Sequence, residues 1–195
     1  DWSSDVCSSD LISGSTLKMI AIVTMVIDHI GAAVLARLLM VNGLGELDQT
    51  NADAIMLWLS ANGALYWMYT VMRMIGRVAF PIFCFLLVEG FLHTHDVKKY
   101  AMRLGLFALI SEIPFDLMYG GTWFYPVHQN VIWTFILGLL GIHIMETVRK
   151  KKKTPVFVLT AILVTIAGGL LGTLTMVDYY GIGVLTVFIF YFFSC

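Results

Sequence analysis

The stretch LKMIAIVTMVIDHIGAAVLARLL, residues 17–39, decides what class of protein this is. Its apolar run matches the roughly 20 residues that an α-helix needs to cross the hydrocarbon core of a bilayer. Asp28 and His29 stand near its middle, about 15 Å from either end by helical rise. Every backbone polar group in lipid needs an internal partner, so this run predicts a spanning helix rather than a strand.

The composition of the whole chain agrees with that first stretch. Of its 195 residues 59% are hydrophobic and 13% are charged, with a mean hydropathy of +0.85. Soluble domains average about 45–50% apolar and about 25% charged residues. The composition therefore excludes a disordered chain, a nucleic-acid-binding protein and a conventional soluble enzyme.

Five further apolar blocks follow the first one along the chain. The fold class that they predict is all-α, a multi-pass transmembrane helical bundle with about six spanning helices. The second block ends near residue 92, and the others cover about 100–119, 131–148, 155–174 and 181 onward.

The second block is the hardest to delimit because Ser60, Asn62 and Gly63 interrupt it. We predict one long helix over about 64–92, with 41–62 as a loop that holds a short interfacial helix. Two separate spans, one of them over 54–72, remain an alternative. Pro81 has no N–H to offer the carbonyl of Arg77, so we expect a kink there.

The basic residues orient the bundle. With a single helix over 64–92, nine of the twelve Lys and Arg residues fall on one side of the membrane. Cytoplasmic loops carry the excess of Lys and Arg, so this side is the cytoplasm and the N-terminus lies there. The nine residues are Lys18, Lys98, Lys99, Arg103 and the run 149–153.

The two ends of the sequence differ from its middle. Residues 1–11, DWSSDVCSSDL, resemble the in-frame translation of a sequencing adapter, and we exclude them from functional reasoning. We expect 12–195 to be a single integral membrane domain that continues beyond residue 195, because the sequence stops within an apolar run. The three cysteines of the whole sequence, Cys7, Cys84 and Cys195, form no CxxC pair, and we expect no metal site.

Several ionisable residues lie within the apolar blocks, where they are costly and by default suggest a functional site. Arg73 and Arg77 are one helical turn apart, and the two acids of the third block have the same i, i+4 spacing. So many ionisable groups exceed what helix packing alone requires. The candidate catalytic residues are His29, Asp28, Arg73, Arg77, Glu89, Glu112 and Asp116.

Lys18 and His29 are eleven residues apart, so they lie within about 20° of each other on one helix face. Histidine is well suited to proton transfer near neutral pH, and a carboxylate beside it can fix its tautomer. Asp28 either serves His29 in this way or pairs with Arg73 or Arg77. A polar pair that only locks helix packing is the structural alternative.

Five segments resemble successive motifs of the TraX family of multi-pass bacterial membrane proteins. The family is named for a conjugative-transfer protein that N-acetylates pilin. The Lys18-x10-His29 spacing also resembles, with Lys in place of Arg, the R-x10-H motif of the membrane acyltransferase-3 group. The segments are LKMIAIVTMVIDHIGAAV (17–34), RMIGRVAFPIFCFLLVEGFLHTHDVKKYAMRL (73–104), ALISEIPFDL (108–117), HQNVIWTFILGLL (128–140) and DYYGIGVL (178–185).

The resemblance implies a membrane-embedded acetyltransferase of the bacterial inner membrane. Acetyl-CoA would enter from the cytoplasm, and the acceptor would be a pilin N-terminus or another envelope amine or hydroxyl. His29 would act as general base, and Asp28 or the pair Glu112 and Asp116 would orient or balance its imidazolium. Arg73 and Arg77 would stabilise the oxyanion or fix the carboxylates. The residues expected to meet the phosphates of acetyl-CoA are Lys18, Lys98, Lys99 and Arg103.

Two other classes of function fit the same residues. Acids, arginines and a histidine at membrane depth also build ion relays, as in a proton-coupled transporter or permease. A non-catalytic membrane factor that assists pilus or envelope assembly is the third possibility. In all three cases the expected partners of the protein are the lipid bilayer and a pilin or another envelope acceptor, and no nucleic acid is expected.

Overall fold

The fold is known from a computed structural model, which describes residues 13–48, 50–151 and 154–194. The segment 1–11 therefore lies outside the described residues, as do Lys152 and Lys153 of the basic run. Within the described part the chain is helical, with one isolated bridge between Gln129 and Val177 in place of any strand. The all-α membrane fold predicted from the sequence is confirmed.

The helices follow the apolar blocks closely. Helix α1 leads through a π-helical turn, Gly31–Leu35, into α2, and a 3-10 turn, Leu44–Glu46, precedes α3. The bounds are α1 Gly14–Ile30, α2 Ala36–Val41, α3 Ala52–Gly76, α4 Ala79–His93, α5 Val97–Tyr119, α6 Val131–Lys151, α7 Thr154–Leu174 and α8 Tyr180–Ser194.

Four stretches of the described residues are long and apolar enough to cross a membrane. Helix α8 is apolar but has 15 residues. Helix α5 has 23 residues and carries more charge than the four. The four stretches are Gly14–Val41, Ala52–His93, Val131–Lys151 and Thr154–Leu174.

The loop predicted over 41–62, with its short helix, is confirmed up to the 3-10 turn Leu44–Glu46 and is wrong from Ala52 onward. Helix α3 begins at Ala52, where the Asn51 side chain accepts hydrogen bonds from the backbone N–H groups of Asp53 and Ala54. Ser60 and Asn62, the polar residues that suggested a loop, instead form hydrogen bonds within the helix. The Ser60 hydroxyl donates to the carbonyl of Leu57 (2.6 Å), and the Asn62 amide donates to that of Trp58 (3.3 Å).

A break at Arg77 and Val78 separates α3 from α4. It lies four residues before Pro81, so the predicted interruption is confirmed at the predicted place. The two helices together form a single candidate span of 42 residues, Ala52–His93.

The chain divides into two units, Asp1–Phe83 and Cys84–Cys195, with the division inside α4. In the first unit, α1 and α2 pack antiparallel on α3. The Trp58 indole near the start of α3 donates to the carbonyl of Asn42 at the end of α2 (2.7 Å). Further along the pair, Gly31 lies so close to α3 that a Cβ there would be 3.3 Å from the Cβ of Met72.

In the second unit, α6, α7 and α8 pack closely on one another through glycines. A Cβ at Gly138 of α6 would lie 2.8 Å from the side chain of Val187, and one at Gly168 of α7 would lie 2.9 Å from Phe188. The loops that precede α6 and α8 are joined by two backbone hydrogen bonds of Gln129. The buried core includes Leu139, Ile142, Met145, Val184, Val187, Phe188 and Tyr191.

Candidate functional site

An ion pair inside the first unit joins α1 to α3. The Arg73 guanidinium donates to the carboxylate of Asp28, with 2.5 Å between Nη1 and Oδ2, and about a quarter of each side chain is exposed. Gly76 makes room for this pair, since a Cβ at that position would collide with the Asp28 side chain. Of the alternatives that the sequence left open for Asp28, the structure shows the pairing with Arg73.

His29 takes a different partner. Its Nδ1 lies 2.8 Å from the carbonyl oxygen of Met25. A carbonyl only accepts, so Nδ1 carries a proton, and in the neutral ring Nε2 then holds the lone pair. The ring is exposed on α1, and Met25 rather than Asp28 sets its tautomer. His93 makes the same bond to the carbonyl of Glu89 (2.9 Å).

Irregular backbone adjoins the ion pair on both helices. The π-helical turn Gly31–Leu35 begins two residues after His29, and the break between α3 and α4 begins at Arg77. π-Helical turns are rare and occur frequently at functional sites. Both irregularities belong to the helices that carry the candidate residues of the first unit.

Arg77 lies one turn from Arg73 but has different surroundings. It is exposed, and among the described residues no carboxylate forms an ion pair with it. It lines a cavity of about 250 Å³. This cavity can therefore present a guanidinium that no carboxylate of the described chain neutralises. Its lining residues are Tyr69, Thr70, Arg73, Met74 and Arg77.

The two candidate acids of α5 lie within the second unit. One oxygen of Glu112 accepts hydrogen bonds from the Asn130 amide and from the Trp133 indole (2.9 Å). One oxygen of Asp116 accepts from the backbone N–H of Tyr125 (2.9 Å). Asp116 is 2% exposed. The other oxygen of each carboxyl group is buried without a hydrogen-bond partner.

The remaining candidates lie near helix ends. Glu89 is close to the end of α4, with its Oε2 3.6 Å from Nδ1 of His93. Lys98, Lys99 and Arg103 are exposed on the first two turns of α5, and Lys99 pairs with Asp96 (3.4 Å). Lys18 is exposed on the second turn of α1. The candidates thus divide between the units, with Lys18, Asp28, His29, Arg73 and Arg77 in the first and the others in the second.

Glu146 is a buried charge that the sequence analysis missed. Its carboxylate accepts from the hydroxyl of Tyr191 (2.7 Å) and pairs with Arg149 (2.8 Å) and Lys150 (3.3 Å). The i, i+3 and i, i+4 spacing of Glu146 to these two basic residues was the available signal. Part of the basic run therefore has a structural partner in addition to its expected role in topology.

A second pair that the sequence did not predict forms between two loops. Nε2 of His128 lies 3.6 Å from Oδ1 of Asp178. The His128 ring also packs against Phe115, Tyr119 and Tyr180, with ring centroids 5.5 to 5.9 Å apart. Gln129 sets the register of these loops through its backbone bonds to Met176 and Asp178.

Together these features define a class, an all-α membrane protein whose apolar helices carry ion pairs and buried carboxyl groups. The chain belongs to the TraX family, whose model, described as TraX protein, matches residues 13–194. The resemblance inferred from the motifs is confirmed.

A curated relative is the probable fimbrial assembly protein FimC, serogroup H1, of Dichelobacter nodosus. The two are 31% identical over 139 residues, which cover 68% of this chain and 46% of the relative. The chain thus matches a little under half the length of that relative. No solved structure matches the chain.

Proposed function

We propose that the chain is a membrane-embedded acetyltransferase that acts on a pilin-like subunit or another envelope acceptor. Membership of the TraX family supports a role connected with pilin, and the name of the fimbrial relative points to the same kind of surface fibre. The proposed location is the bacterial inner membrane, with the basic ends of the helices in the cytoplasm.

The observation that carries the proposal is that the first unit holds both a histidine base and a guanidinium without a carboxylate partner among the described residues. His29 there has Nε2 available as a base, while Asp28 is engaged by Arg73. Arg77 lines a cavity with no carboxylate partner among the described residues. A base and a guanidinium on apolar helices are two of the groups that acyl transfer from a thioester requires.

The proposed reaction uses these groups in order. The acceptor amine or hydroxyl attacks the carbonyl carbon of the acetyl thioester while Nε2 of His29 removes its proton. The oxyanion that develops is stabilised by the guanidinium of Arg77. When the intermediate collapses, the C–S bond breaks and the thiolate takes up the proton from His29. Asp28 and Arg73 hold the two helices in register and are positioning residues.

The phosphates of acetyl-CoA, the acetyl donor, require positive charge on the cytoplasmic side. Lys98 and Arg103 are exposed near the start of α5, and no carboxylate among the described residues pairs with them. Lys99 is partly neutralised by Asp96. The exposed cations of α5 therefore suit phosphate binding, with Lys98 and Arg103 as the main contributors. Lys18, on α1 of the first unit, is a separate candidate.

The test of this assignment compares two histidines with the same local hydrogen bond. His29→Ala should lower acetyl transfer by roughly 10²–10⁴-fold, the usual contribution of a general base. His93→Ala should leave the rate near that of the unaltered protein, because His93 lies at the end of α4. The measurement is the rate of label transfer from acetyl-CoA to a pilin N-terminal peptide by protein in nanodiscs. Equal rates for both variants would contradict the role of His29.

A non-catalytic assembly factor is the second candidate, because the curated relative is named as a fimbrial assembly protein. Under that alternative His29→Ala would leave fibre formation in cells unchanged, and purified protein would transfer no label.

A further inference from the structure

Glu112 and Asp116 form a pair of carboxyl groups one turn apart on α5. Each directs one oxygen to neutral donors: Asn130 and Trp133 for Glu112, and the backbone of Tyr125 for Asp116. The other oxygens, Oε1 of Glu112 and Oδ1 of Asp116, are buried without a hydrogen-bond partner. Asp116 as a whole is 98% buried, since only 2% of its surface is exposed.

Two unpartnered buried oxygens on neighbouring carboxyl groups need an explanation, because buried polar atoms are nearly always hydrogen-bonded. If both groups were ionised, two like charges would lie at i, i+4 spacing with one buried oxygen each left without a donor. A single proton removes both difficulties. Placed on Oε1 of Glu112, it gives that oxygen a hydrogen to donate and gives Oδ1 of Asp116 a donor.

Among the described residues, the groups that face this pair include no cation. From the start of α6 and the residue before it come the Trp133 indole and the Asn130 amide, which are neutral. From the loop after α5 comes Tyr125, through its backbone N–H. His128 packs on Phe115 and Tyr119 of the same helix, and its ion pair is with Asp178. Among the described residues neither Glu112 nor Asp116 has a basic partner.

We infer that Glu112 and Asp116 are a proton-binding site, with one proton held between Oε1 of Glu112 and Oδ1 of Asp116. The pair then carries a single negative charge, and its four oxygens all have hydrogen-bond partners. This site lies in the second unit and stands independently of the proposed acetyl transfer. It gives the apolar helices a group that can release and take up a proton.

Infrared spectroscopy of the full chain in nanodiscs tests this directly, because a protonated carboxyl group has a C=O band that a carboxylate lacks. The unaltered protein should show such a band at neutral pH, shifted by exchange into D₂O. Glu112→Gln should abolish it, because the Gln amide donates to Asp116 in place of the proton and leaves Asp116 ionised. Asp116→Asn should abolish it for the reciprocal reason. Either variant supplies the test if the other fails to fold.

Glu89→Gln is the matched control, since Glu89 is a carboxyl group near the end of α4 with 39% of its side chain exposed. This variant should keep the band unchanged. The inference is overturned if the band is missing from the unaltered protein, or if it survives in a folded Glu112→Gln or Asp116→Asn variant. Stabilisation of the folded protein by Na⁺ with no protonated-carboxyl band would also overturn it, because a bound cation would then hold the pair.

Discussion

Arg73 and Arg77 lie one helical turn apart at the end of α3 but have different surroundings. Arg73 donates to Asp28, and Gly31 and Gly76 let α1 approach α3 closely enough for that bond. Arg77 lines a cavity and pairs with no carboxylate in the described part of the chain. The spacing in the sequence predicted that both arginines share a face. It could not tell which one would meet Asp28, because that depends on the register of two packed helices.

Substitution of Arg73 should therefore lower mainly the stability of the protein, and substitution of Arg77 mainly its acetyl transfer. Arg73→Ala leaves the carboxylate of Asp28 without its partner, and we expect a loss of about 3 kcal/mol in the free energy of unfolding. That figure is the lower end for a buried pair, because about a quarter of each side chain is exposed. Arg77→Ala should cost much less stability and should lower acetyl transfer by about 10²-fold or more.

Denaturant unfolding in detergent and the labelled-acetyl assay supply the two readouts. Asp28→Asn combined with Arg73→Gln should recover part of the stability that Arg73→Ala loses, because no unpaired charge remains. Equal destabilisation by the Arg73 and Arg77 variants would contradict the distinction between them.

For the helices, the sequence predicted the break that follows from backbone chemistry. It missed the part of α3 whose polar side chains form hydrogen bonds to their own helix. Pro81 lacks an N–H, so the break at Arg77 and Val78 could be placed in advance. Ser60 and Asn62 suggested a loop, yet both bond to carbonyls of their own helix. Polar residues within an apolar run predict a loop only where the helix cannot supply their partners. That information lies in side-chain geometry rather than in residue type.

Two glycines of α3 provide a test of how this helix packs. A Cβ at Gly76 would strike the side chain of Asp28, whereas a Cβ at Gly63 would have no atom within 4 Å. Gly76→Ala should therefore separate α1 from α3 and weaken the ion pair, at a cost of about 1–3 kcal/mol. Gly63→Ala should be neutral or stabilise the helix by about 0.5–1 kcal/mol.

The measurement is again unfolding in detergent, with both variants made in the same background. If Gly76→Ala were as stable as Gly63→Ala, the close approach of Asp28 to α3 would be wrong.

For the whole molecule, the all-α membrane fold followed from composition and from the length of the apolar blocks. The distribution of candidate residues over two units did not, because the sequence gives no contacts between distant segments. We propose the orientation in the membrane from the distribution of the basic residues. The same rule that places 149–153 in the cytoplasm places the loop after α5 on the opposite side.

Cysteine labelling tests this orientation at the two ends of α5. With the three native cysteines replaced by serine, Thr122→Cys should react with a membrane-impermeant maleimide in intact spheroplasts. His95→Cys should react only after the membrane is permeabilised. Both positions are exposed, so burial does not bias the comparison. Labelling of His95→Cys in intact spheroplasts, without labelling of Thr122→Cys, would reverse the proposed topology.

Acetyl transfer is the central claim, and one measurement tests it most directly. Purified protein in nanodiscs is incubated with acetyl-CoA labelled in the acetyl group and with a pilin peptide that has a free N-terminus. The same peptide with a blocked N-terminus and no other acceptor group serves as the control. We predict covalent label on the free peptide, none on the blocked one, and one free thiol released for each acetyl group transferred. Folded protein that binds acetyl-CoA but places no label on any envelope amine or hydroxyl would contradict the proposal.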